Sequence, residues 1–100
     1  MEIKHASSAG TLESSDCMIT VGPNDAGTIN IEIESIVKTT FGSQIRATVE
    51  DVLKYFCVTS ADVAVNDKGA IDCVIRARMT TAVCRASDTK FNWEDLDNNG

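Results

Sequence analysis

Between Ile29 and Phe56 the apolar pattern changes its period, and that change limits the folds open to the chain. Ile29, Ile31 and Ile33 alternate with Asn30, Glu32 and Glu34, the period of a strand with one face buried. Ile45, Val49, Val52, Leu53 and Phe56 then recur at i, i+4, i+7, i+8 and i+11, one apolar stripe of a helix. Arg46, Glu50, Asp51 and Lys54 fall on its opposite, solvated face. A chain that switches period over so short a span must bury a helix against a sheet.

Around this pair the other elements follow. Met18 to Val21 reads as a short strand stopped by the turn cluster Gly22-Pro23-Asn24-Asp25. Ile29 to Ile36 is expected to pair with it, antiparallel, across a loop of ordinary length. Ser43 is placed to cap the helix. Val63 and Val65 alternate again, Asn66-Asp67-Lys68-Gly69 suits a turn, and Ile71, Cys73 and Ile75 continue the alternation. This predicts a hairpin with strands at 62–66 and 70–75 and a positive φ at Gly69. A competing reading starts a helix near Ala70, since Ile71, Val74, Ile75 and Met79 also fit helical spacing. Residues 76–86 prefer helix, and Ser87-Asp88 ends it. Residues 1–13, rich in Ala, Ser and Gly, lack an apolar period and are expected to form a flexible arm. Residues 88–100 are expected to form a polar tail around Phe91, Trp93 and Leu96. The expected fold is a small two-layer α+β domain over residues 14–87. It has a four-stranded, mainly antiparallel sheet with two helices on one face, in the order ββαββα.

Composition narrows the function. One hundred residues with a formal net charge of -6 describe a single small acidic domain. No basic patch invites nucleic acid or an anionic membrane. No apolar run approaches the ~20 residues of a membrane span, and no basic-then-apolar signal peptide is evident. Cys17, Cys57, Cys73 and Cys84 lie 40, 16 and 11 residues apart, with no Cys-x-x-Cys pair, and the single histidine is His5. That pattern offers no zinc site, and the apolar neighbours of each cysteine predict free, buried thiols in a reducing compartment. Tyr55 and Phe56 read as core and rim aromatics, since no basic cluster surrounds them.

Two stretches carry candidate chemistry. In Gly10-Thr11-Leu12-Glu13-Ser14-Ser15-Asp16 a small lead-in delivers two serines to the start of a strand. An exposed hydroxyl on a short tether is what covalent attachment requires, and it is equally what an ordinary loop serine looks like. Asp67, Lys68, Asp72, Arg76 and Arg78 could be drawn as an acid–base centre, but their places along regular elements favour structural roles. Arg76 and Arg78 also suit phosphates or partner carboxylates.

A resemblance selects among these readings. Met1-Glu2-Ile3-Lys4, Ala9-Gly10-Thr11-Leu12-Glu13-Ser14, Phe41-Gly42, Ile45-Arg46-Ala47-Thr48, the block from Asp67-Lys68-Gly69-Ala70 to Arg78, and Trp93-Glu94-Asp95 resemble the citrate lyase acyl carrier proteins, in order and at matching spacing. The resemblance implies a noncatalytic carrier that holds 2'-(5''-phosphoribosyl)-3'-dephospho-coenzyme A on the serine matching Ser14, through a phosphodiester. The thiol end of that group would carry acetyl and citryl thioesters between a transferase (alpha) and a lyase (beta) subunit. A holo-carrier-forming transferase and an acetylating ligase would load it, in the cytoplasm. Ser15 has the same chemistry, and only the family position selects Ser14. The chain lacks the Asp-Ser-Leu signature of the helical-bundle acyl carriers, so any carrier function rests on a different scaffold. A malonate decarboxylase carrier uses the same kind of group and stands as the nearest alternative. A noncatalytic adaptor or regulatory domain stands as another. No nucleophile–base pair or metal set supports an independent enzyme.

Overall fold

Cys17, Ile19 and Val21 are fully buried while Met18 and Thr20 point the other way, so the alternation makes a strand, β2 (Cys17–Gly22). The same rule makes β4 (Ala61–Asp67), with Ala61, Val63, Val65 and Asp67 inward. β3 (Ile29–Ser35) keeps the period but buries only Ile33, because it lies at a sheet edge. A computed structural model describes residues 1–36 and 38–89, and of residues 38–41 the backbone only. The tail expected around Phe91, Trp93 and Leu96 lies outside the described residues.

The remaining elements are β1 (Ser7–Gly10), α1 (Lys38–Tyr55) and α2 (Asp72–Ala86). The sheet order is β1-β2-β4-β3, with β1–β2 and β2–β4 antiparallel and β3–β4 parallel. Ile45, Val49, Val52 and Leu53 of α1 and Ile75, Met79, Ala82, Val83 and Ala86 of α2 fill the core against one face of the sheet. The α+β class, the four strands, the mainly antiparallel sheet and the two helices agree with the sequence reading.

The element order differs: it is βββαβα. Residues 7–10, read as part of a flexible arm, form β1, in register from Ser7↔Val21 to Gly10↔Met18. Backbone hydrogen bonds hold this small-residue strand, so it leaves no apolar period to read. Just before it, Ile3 is buried, and the amides of Lys4 and His5 both donate to the Ala86 carbonyl (2.8 and 3.1 Å). β3 does not pair with β2 as expected. The helical crossover through α1 brings β4 back parallel to β3 and inserts it between the two.

The hairpin strand at 70–75 is absent, and the helical alternative holds. The Asp67 carboxylate accepts the Ala70 amide at 2.9 Å and turns the chain into α2. There Ile75, Met79, Ala82, Val83 and Ala86 form the buried stripe, while Ile71 and Cys73 are exposed. α1 begins at Lys38, so Ser43 lies inside the helix and does not cap it.

Both helices end in the same way. Val58 donates to Leu53 and Cys57 to Lys54, with Cys57 at φ 56°. Thr89 donates to Cys84 and Asp88 to Arg85, with Asp88 at φ 58°. These are Schellman ends with a non-glycine residue in the left-handed position. All four cysteines are free, but only Cys17 and Cys84 are buried; Cys57 and Cys73 sit at helix ends in solvent.

Candidate functional site

The turn between β1 and β2 is built around two residues that flank the serines, Gly10 and Asp16. Gly10 has φ 102°, and a Cβ there would lie 1.8 Å from the Cys17 carbonyl oxygen. Only glycine lets β1 end so close to β2. Beyond it Thr11 donates its amide to that same oxygen at 3.2 Å. Asp16 donates its amide to the Glu13 carbonyl at 3.2 Å, closing a β-turn with Ser14 and Ser15 at its centre. Ser15 has φ 66°, the positive value that a type II turn places at its third residue.

Asp16 ties this turn to three elements. Its carboxylate accepts Nε and Nη2 of Arg78, on α2, at 3.1 and 2.9 Å. It also accepts the Thr11 hydroxyl at 2.6 Å and the Cys17 amide at 2.7 Å. Its carbonyl accepts the Lys68 amide at 2.9 Å, and Ser15 donates its amide to the Lys68 carbonyl at 2.8 Å, extending the β2–β4 ladder into the loop. The Arg78 guanidinium, then the Thr11 and Cys17 donors, hold the Asp16 carboxyl well below the usual carboxylate range. A carboxylate held that way is a poor general base and a good strut. The neighbouring Cys17 thiol is pushed up to about 12 by burial and by the Asp16 and Asp67 carboxylates, which keeps it protonated and inert.

Against this fixed base, Ser14 and Ser15 are both exposed, and among the described residues neither hydroxyl has a hydrogen-bond partner. Leu12, 51% exposed, stands beside them. The loop therefore presents free hydroxyls on a rigid backbone, which suits an acceptor and gives no catalytic pair. Among the described residues no group of His, Cys, Asp and Glu could hold a metal ion, and no helix is long and apolar enough to cross a membrane.

The chain matches the family described as "ACP: Malonate decarboxylase delta subunit (MdcD)" over residues 4–86. It is 47% identical over 98 residues to the citrate lyase acyl carrier protein of Streptococcus mutans, covering 97% of this chain and 96% of that protein. It is 50% identical over 97 residues to that of Lacticaseibacillus casei, covering 96% and 95%. The chain belongs to the citrate lyase acyl carrier protein family.

A third member of that family, from Haemophilus influenzae, is 51% identical over 94 residues, covering 94% of this chain and 97% of its own length. The fold is shared more widely. A chain in the crystal structure of a Pseudomonas malonate decarboxylase hetero-tetramer in complex with malonate superposes with a TM-score of 0.74 at 18% identity, over 84% of this chain and 86% of that one.

In this chain the sequence-selected residues separate. Arg78 is engaged by Asp16 beside the serines, whereas Arg76 pairs with Asp51 of α1 at 2.7 Å, away from the loop. Asp67 is fully buried and accepts Ser35 Oγ at 2.7 Å as well as the Ala70 amide, so it joins β3, β4 and the start of α2. Asp72 opens α2, and Lys68 joins the serine loop through its backbone. No acid–base centre forms among them. The link that sequence reasoning missed is Asp16 to Arg78, 62 residues apart. Its only trace is an acid directly after the serines and an arginine flagged for other reasons.

Proposed function

We propose that Ser14 is the attachment point of 2'-(5''-phosphoribosyl)-3'-dephospho-coenzyme A, and that the chain carries acetyl and citryl thioesters between the alpha (transferase) and beta (lyase) subunits of citrate lyase. The observation that carries this is a pair of exposed, unpartnered hydroxyls, Ser14 and Ser15, on a turn clamped by Asp16, Arg78 and Lys68, of which the family resemblance selects Ser14. A phosphodiester there would displace no native contact, so the residues present fit the group. The loaded group supplies a thioester, which activates the acyl carbonyl. The protein contributes a fixed base for the arm, so reach comes from the group itself, and effective concentration at two sites follows from the tether. The chain performs no bond-making. The holo-carrier-forming transferase and the acetylating ligase act on it in the cytoplasm, and protein made without them is apo.

A second reading, a malonate decarboxylase carrier, is favoured by the family description over residues 4–86 and by the shared fold. Identities of 47 to 51% to citrate lyase carriers favour the first. Loading wild type, Ser14→Ala and Ser15→Ala with purified transferase and donor tests the attachment: wild type and Ser15→Ala should gain the group, and Ser14→Ala should not. Mixing the loaded carrier with citrate lyase alpha and beta subunits should restore citrate cleavage. Restoration of malonate decarboxylation instead, with the subunits of that enzyme, would favour the second reading.

A further inference from the structure

The serine loop leads directly into an apolar cleft. Lys68 exchanges backbone hydrogen bonds with Ser15 and Asp16, and the next three residues, Gly69, Ala70 and Ile71, form one wall of an open cleft of about 570 Å3. Ile45 of α1 and Cys73 and Ile75 of α2 line most of the remainder, with Gln44 and Asp72 as its two polar side chains. The volume falls in the range of roughly 300–1,000 Å3 that small-molecule and cofactor sites occupy, and a mainly apolar lining is their usual character. Ile71, at the mouth, leaves 66% of its surface exposed, and Ile36, which approaches Gly69, leaves 68% exposed. Apolar surface of this kind is costly to leave in water. Lys68 sits at the junction of loop and cleft, where its positive charge suits the phosphates at the base of an attached group.

We propose that this cleft is the resting site of the acyl-thioester end of the group on Ser14. The inference rests on the proposed attachment. A tethered occupant needs little intrinsic affinity, because the tether fixes a high local concentration. The apolar wall shields one side of the thioester from water between transfers, and the open side lets the arm leave for a partner subunit. Cys73 on the cleft wall is an exposed thiol that reports occupancy. Cys57, also exposed, lies beyond the other end of α1, which runs roughly 15 Å from Ile45 to Tyr55, and serves as the control in the same molecule.

The test is alkylation with iodoacetamide, read site by site by peptide mass spectrometry, on apo protein and on holo protein with the arm thiol acetylated. A resting population of about nine in ten slows Cys73 about tenfold in the holo protein and leaves Cys57 unchanged. Ile71→Ser, at the exposed N-cap of α2, returns the holo Cys73 rate toward the apo rate of the same variant. Equal Cys73 rates in apo and holo protein would overturn the cleft while leaving the attachment standing, provided the added mass maps to Ser14. Protection that persists in Ile71→Ser would also overturn it. Absence of any added mass on Ser14 would defeat the attachment, and the cleft proposal with it.

Discussion

Arg78 grips Asp16 with two nitrogens, at 3.1 and 2.9 Å, and through that carboxylate α2 holds the turn that presents Ser14. The pair joins residues 62 positions apart and lies at the base of the candidate site. Its fork geometry makes it specific to arginine. Arg78→Lys and Asp16→Asn should each leave far-ultraviolet circular dichroism unchanged and speed amide exchange at Ser15 and Asp16. Both should slow prosthetic-group incorporation, with lysine failing to rescue. Wild-type exchange at Ser15 in Arg78→Lys would count against the strut.

The pH response of this pair has a definite sign. The folded pKa of Asp16 is lowered, so its stabilisation is present above the unfolded carboxyl value of about 3.9 and is lost as pH falls through the folded value. The His5–Asp88 pair, at 2.7 Å, behaves in two ways. The hydrogen bond to Asp88, then the Ala6 carbonyl, raises His5, so its contribution is complete below about 6.5 and is lost as pH rises through the folded value. Asp88 is lowered by the same bond, and its contribution fades in acid. Exchange at Ser15, corrected for intrinsic rates, should therefore stay flat from neutrality to about pH 4, while exchange at Lys4 and His5 should rise above neutrality. His5→Ala should flatten the second profile.

Two positive-φ residues mark where substitution should help. Ser15 at φ 66° and Cys57 at φ 56° each bear a side chain in the left-handed region. Glycine there relieves about 1 kcal/mol of backbone strain, partly offset by the entropy of the unfolded chain. Ser15→Gly and Cys57→Gly should be neutral to stabilising by up to about 1 kcal/mol in urea denaturation, whereas Ser15→Val should destabilise.

Much of the architecture could be read from side-chain period, and the parts that could not are those that period does not encode. Cys17 to Gly22, Ile29 to Ser35, Ile45 to Leu53 and Ala61 to Asp67 bury one face each, and their types were legible. β1 was not, because Ser7, Ser8, Ala9 and Gly10 are held by the β2 backbone. Strand order was not, because nothing local tells β3 that β4 will return between it and β2. Ile71, Cys73 and Ile75 alternate like a strand, yet the Asp67 carboxylate accepts the Ala70 amide three residues on and turns the chain into a helix, a local side-chain bond that apolar period does not encode. The candidate serine was legible from the resemblance, whereas the clamp beneath it required the packing of α2.

Asp67 should be the most sensitive polar residue of the core. Asp67→Ala removes the carboxylate that accepts from Ser35 Oγ and from the Ala70 amide, at a cost of about 2 kcal/mol or more. Asp67→Asn keeps an acceptor oxygen and should lose less. Equal urea midpoints for the two variants would contradict this role.

The glycines at the two turns should rank by geometry. Gly10→Ala drives a Cβ into the Cys17 carbonyl and should destabilise strongly. Gly69 has φ 94°, and a Cβ there would meet only Ile36 Cδ1, at 3.7 Å, among the described residues, so Gly69→Val acts through backbone strain and should cost more than Lys68→Ala but less than Gly10→Ala. Urea midpoints in the order Lys68→Ala, Gly69→Val, Gly10→Ala, from high to low, express the expectation.

The most direct test of the attachment is fragmentation mass spectrometry of the peptide spanning residues 10–17, from carrier purified out of cells that also make its loading enzymes. The account predicts one large added mass, localised to the Ser14 hydroxyl, with Ser15 bare. The same mass on Ser15, or an unmodified peptide from an active complex, would contradict it.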